Sequence, residues 1–135
     1  GECLIEVKSS NIVENGVARY PDSSTPRGVK QLKSLTHKAS TGQRSVMIFL
    51  VQRNDAQSFE VSATNDSAYS QAFEAAIAAG VEVIVVVVSV HPEGFGRLRI
   101  IPHKLELDEV TNQCCQINSN SHQNTKNVKT DLPSR

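Results

Sequence analysis

Ser45-Val-Met-Ile-Phe-Leu-Val-Gln52 is the stretch that decides how this chain folds. Its six consecutive apolar residues, Val46 to Val51, fit a strand buried on both faces of a sheet, because a half-exposed strand would alternate. A second apolar run, Val81 to Val90, follows downstream. Between them Asn65 or Asp66 supplies a capping oxygen for a helix whose Tyr69, Ala72, Phe73, Ala76 and Ile77 recur at spacings of three and four, and Gly80 ends it. Residues 45–90 therefore predict a β-α-β unit with a right-handed crossover and two parallel central strands. His91-Pro92-Glu93-Gly94 is a turn, after which Arg97 to Ile101 can return antiparallel, so the sheet is mixed.

Toward the N-terminus, Thr25-Pro26 places a capping oxygen before a proline at the first helical position. Val29, Leu32, Leu35 and Ala39 then form an apolar stripe, and Gly42 closes a helix over roughly residues 26–41. Asn15-Gly16, flanked by Ile12-Val13 and Val17-Ala18, predicts a hairpin over 11–20, since both turn residues accept positive φ. Cys3 to Ser9 predicts a strand with Leu4, Glu6 and Lys8 on one face and Cys3, Ile5 and Val7 on the other. This first strand has no element before it to pair with, and the chain opens on Gly1 rather than Met, so it reads as a piece of something longer. From about Asp108 onward Asn, Gln, Ser, Thr and Lys dominate. The expected organisation is one domain over 1–107 and a disordered polar tail over 108–135.

At 135 residues the chain has room for one real core and not two. With 14 basic and 14 acidic residues, net charge points to no particular partner. No apolar run reaches the ~18 residues that a membrane span needs, and no basic-then-apolar leader is present, so the expectation is an intracellular protein without a membrane partner. Three cysteines, two of them the neighbours Cys114 and Cys115, make neither a disulfide framework nor a zinc spacing. Nucleophile elbows and phosphate-cradling glycine loops are also absent.

Two features carry chemistry. Glu6 and Lys8 share a strand face with Cα atoms ~6.6 Å apart at strand rise, close enough for a carboxylate to hold a divalent ion beside an ammonium. The same pattern also serves as a plain solvated charge pair. Second, no Asp or Glu occurs between Ser23 and Asn54, while Arg27, Lys30, Lys33, Lys38, Arg44 and Arg53 do. Arg27, Lys30 and Lys33 recur every three residues opposite the apolar stripe, with His37 a turn further on. Such a row grips phosphates or is simply a solvated helix face. Gln52 and Arg53 end the central strand, where open α/β sheets place ligand-binding groups. His91 and His103 have no partner at ligand spacing and read as surface residues. Tyr20 is the one aromatic near the basic row, too few for base stacking.

Glu6-Val7-Lys8-Ser9, Tyr20-Pro21-Asp22, Arg27-Gly28-Val29-Lys30-Gln31-Leu32, Val51-Gln52-Arg53-Asn54-Asp55-Ala56 and Ala78-Ala79-Gly80-Val81-Glu82-Val83 occur in one order along the chain. Together they resemble the sugar fermentation stimulation protein A (SfsA) family over roughly Cys3 to Pro102. The resemblance implies an α/β fold, a mixed β-sheet flanked by two helices like the PD-(D/E)xK restriction-endonuclease-like fold, incomplete at its N-terminus. It implies DNA binding linked to regulation of sugar metabolism, and it makes Glu6 and Lys8 the Glu and Lys of a nuclease motif, with Glu6 on a Mg2+ ion. Arg27, Lys30, Lys33, Gln52 and Arg53 become the nucleic-acid-binding set, and Asp22 a further family-matched polar position. It also implies that an OB-like domain and the strand carrying the motif's Asp precede this region in full-length relatives. Gln31 departs from the pattern, which has a His there. The leading expectation is nucleic-acid binding. Its alternatives are a metal-dependent nuclease, inactive without the second carboxylate, and a non-functional fragment whose first strand lacks a neighbour.

Overall fold

The computed structural model describes residues 1–104, and the expected polar tail over 108–135 lies outside the described residues. The strand β1 (Cys3–Ser10) pairs in parallel with β4 (Arg44–Val51) along its whole length, and β4 pairs in parallel with β6 (Glu82–His91). β7 (Gly94–Ile101) returns antiparallel to β6, giving a mixed sheet in the order β1-β4-β6-β7. The parallel β4–β6 pair expected from the two apolar runs is therefore present. It is joined by α2 (Ser67–Ala78), with Asp66 as its N-cap accepting from the Tyr69 amide.

The first strand corrects one expectation. It has a neighbour after all, because the apolar run of β4 offers it a parallel edge; its other edge pairs with no described strand. Residues 52–65 link β4 to α2. They contain β5 (Ser58–Val61), which lies between β3 (Val17–Tyr20) and β8 (His103–Lys104) in a second sheet of order β2-β3-β5-β8. Four residues are too few for periodicity to stand out against their flanks, and the strand is held by partners about 40 residues away on either side. The hairpin of β2 (Ile12–Glu14) and β3 forms as expected, with Asn15 and Gly16 both at positive φ.

Register assigns the faces of the large sheet. Glu6 stands beside Met47, Lys8 beside Phe49 and Ser10 beside Val51, so the polar side chains of β1 share a face with the most buried residues of β4. The helix α1 (Pro26–Ser40) and α2 both pack on this inner face. Phe73 of α2 lies 5.9 Å from Phe49, and Phe59 of the small sheet 4.4 Å from it, ring centroid to centroid. Leu32 and Leu35 of α1 are fully buried, while Val29 and Ala39 flank them half-buried. Gly28 has a packing role: a Cβ there would come within 3.0 Å of Tyr69 Cε2 and 2.9 Å of the Thr25 side chain, so only glycine lets the first turn of α1 lie against α2.

Candidate nucleic-acid interface

Glu6 and Lys8 project to the inner face from an edge strand, so they border the core without being enclosed by it. Glu6 Oε1 and Lys8 Nζ are 3.0 Å apart, with 26% and 15% of their side chains exposed. Lys8 Nζ also donates to Gln31 Oε1 of α1. Gln31 thus ties the helix to the strand, and the expected acid and amine do stand side by side.

An aromatic floor lies next to this pair. The Tyr20 ring is 5.5 Å from Phe49 and 5.2 Å from Tyr69. Burial pushes the Tyr69 phenol well above its ordinary range, with the fields of Tyr20, Glu6 and Asp66 adding to the effect. Its hydroxyl is buried and finds no hydrogen-bond partner among the described residues. Burial likewise raises Tyr20, opposed by a hydrogen bond from Thr25 and helped by Asp22, Glu6 and Asp66. Tyr20 is half-buried, its ring held against Phe49 and Tyr69. Asp66 accepts from the Thr25 amide at 2.7 Å and the Tyr69 amide at 2.9 Å. Those two bonds, in that order, hold its carboxylate below the usual range despite its burial. One carboxylate therefore anchors the starts of both helices.

Arg27, Lys30 and Lys33 are exposed along α1, and none has an ion-pair partner among the described residues. Helix geometry adds Lys38, which was not among the expected binding residues: Arg27 four positions before Gln31 and Lys38 seven after it share the face of Gln31, and so flank the Glu6–Lys8 pair. Asp22 is exposed in the loop after β3, where its charge helps to raise the Tyr20 phenol. Gln52 and Arg53 follow β4 as expected, but the Arg53 fork is taken up by Asp55 at 3.0 and 2.7 Å. Among the described residues no three His, Cys, Asp or Glu side chains converge as a metal site requires. At the motif the described residues offer one carboxylate, Glu6, which is already paired with an ammonium.

Comparison with known proteins places these features in context. A family model described as the Sugar fermentation stimulation protein RE domain matches residues 1–94. The Sugar fermentation stimulation protein homolog of Desulforamulus reducens is 41% identical over 105 residues, covering 78% of this chain and 44% of that protein. The homolog of Ruegeria sp. (strain TM1040) is 44% identical over 101 residues, covering 74% of this chain and 44% of that protein. In three dimensions the fold superposes on Pyrococcus furiosus SfsA, solved in complex with Ca2+, with a TM-score of 0.75 at 25% identity over 78% of this chain and 46% of that one. The mixed sheet with two helices is thus shared with a solved structure. The chain spans less than half the length of these relatives. No helix among the described residues is long and apolar enough to cross a membrane.

Proposed function

The chain belongs to the sugar fermentation stimulation protein family, and from that premise we propose that residues 1–104 are the nuclease-like, C-terminal part of an SfsA-type protein and hold nucleic acid by its phosphates. One contrast carries the reading. Lys8, Arg19, Arg44 and Arg53 are each committed to a carboxylate, while Arg27, Lys30, Lys33 and Lys38 on one helix are not. Uncompensated cations in a row are what a polyanion's backbone engages, and each contact releases condensed counterions. Arg53 contributes less because Asp55 already answers its charge, and Gln52 offers a neutral amide at the strand end. The relatives' unmatched length, over half of each, leaves room for an OB-like domain.

The test is the salt dependence of binding to a labelled DNA duplex, read by fluorescence anisotropy. Log affinity should fall linearly with log salt, and each of Lys30→Ala and Lys33→Ala should flatten the slope by about 0.9. Arg53→Ala should change it less. A slope untouched by both lysine variants removes α1 from the interface.

A second reading, metal-dependent phosphodiester hydrolysis, draws on the Ca2+ bound by the P. furiosus relative. Glu6 would contribute one oxygen to a Mg2+ ion, and Lys8 would counter charge on a phosphate. A single carboxylate does not complete a magnesium site, since such ions are shared between carboxylates, waters and phosphate. The reading therefore requires a carboxylate from outside residues 1–104. A full-length family member with Mg2+ and DNA decides it: cleavage that survives replacing the residue equivalent to Glu6 by Gln would discard it.

A further inference from the structure

The large hydrophobic side chains exposed on the described residues are Ile5, Val7, Val90, Phe95, Leu98 and Ile100, from 40% exposed at Val90 to 75% at Ile100. All six project from one face. Ile5 and Val7 lie on the side of β1 opposite Glu6 and Lys8, Leu98 and Ile100 stand beside Val88 and Val86, and Phe95 stands beside Val90 beyond a bulge. Between these borders run the half-buried Ile48 and Leu50 of β4 and Ile84 and Val86 of β6, with Val46 and Val88 buried among their neighbours, so the outer face of the large sheet is apolar from β1 to β7. No described element covers it, since both helices and the small sheet pack on the inner side. Against side-chain areas of roughly 150–200 Å² each, the six leave roughly 540–720 Å² of apolar surface in water, at or above the upper end of the ~300–600 Å² of the largest patch on an ordinary monomer.

We infer that this face is an interface between two copies of the chain. The size fits: two such patches facing one another remove roughly 1,100–1,400 Å², at the lower end of the ~1,200–2,000 Å² of stable complexes. Charge fits as well. The charged side chains on this face, Arg44 and Glu82, pair with each other at its rim at 2.7 Å, so a copy meeting itself across a two-fold axis brings no like charges together. Geometry adds a third reason, because two twisted sheets with apolar inner faces stack ~10 Å apart at about 30°. The inference does not depend on the nucleic-acid reading, which concerns the opposite side of the sheet.

The experiment is the mass of the full 135-residue chain in solution across a dilution series, with dye binding to exposed apolar surface measured alongside. A mass of twice 14.7 kDa is expected. The double variant Leu98→Lys/Ile100→Lys should weaken association at least about 100-fold while keeping the circular dichroism spectrum, since both side chains already face water in one copy. Leu98→Met/Ile100→Val, which preserves the apolar surface, should remain a dimer. Three results overturn the inference. A monomeric wild-type chain that binds the dye leaves the face open. A monomer that does not bind it has the face covered within one chain. A dimer that persists in a folded double-lysine variant has its interface elsewhere.

Discussion

The two faces of the large sheet are almost equally apolar, yet their fates differ. On the inner face Met47, Phe49, Val51, Val85 and Val87 are all but fully buried beneath two helices and a small second sheet. On the outer face Ile5, Val7, Leu98 and Ile100 are more than half exposed. The polar groups are distributed against intuition, because the buried-side face is the one that carries Glu6, Lys8 and Ser10 at its β1 edge. Hydrophobicity therefore sets which surfaces must be covered, while the partner supplied by topology sets which ones are. A polar edge forms where a covered face runs out at an edge strand and charged side chains take over.

The largest effect that could break this contrast is a pair of truncations, one on each face. Phe49→Ala removes a ring packed against Tyr20, Phe59 and Phe73, and should cost about 3–5 kcal/mol in chemical denaturation. Ile100→Ala, measured at dilutions where the chain is monomeric, should stay within about 0.5 kcal/mol of wild type. Equal losses would show the outer face to be covered within one copy.

Next is the anchor shared by the two helices. Because the Thr25 and Tyr69 amides stabilise the Asp66 carboxylate, its proton is held less tightly in the folded chain than in the unfolded one. Its contribution is complete above the ordinary aspartate range, about pH 4, and is lost as the pH falls through its depressed native value. The gap in melting temperature between wild type and Asp66→Asn should thus be widest near neutrality and close on acidification. A gap independent of pH would assign Asp66 a role without charge.

The smallest effects compare an ion pair on each face. Lys8→Met leaves Glu6 and Gln31 without their shared donor and should cost about 1 kcal/mol. Glu82→Gln at the exposed outer rim should leave the melting temperature of the monomer unchanged, because water screens the Arg44–Glu82 pair. If the rim variant proved the more damaging, the inner pair would have no special standing.

Short-range determinants were legible in the residues themselves. Thr25-Pro26 and Asp66 begin helices because their oxygens reach amides three residues on, Asn15-Gly16 turns because both residues accept positive φ, and the apolar runs form the two central strands β4 and β6, although only their inner faces are covered by described elements. The sharing of a face by Glu6 and Lys8 follows from strand periodicity alone. Tertiary structure decided the rest, because contacts between residues far apart in the chain leave no periodic trace in either segment. β5 exists through pairing with β3 and β8, β1 is placed by the edge of β4, Lys8 meets Gln31 across 23 residues, and Tyr69 meets Tyr20 beneath them. Local rules act over a few bonds and can be read in order along the chain. Which apolar face finds a cover, and which charge finds a partner, is settled only when distant segments compete for the same space.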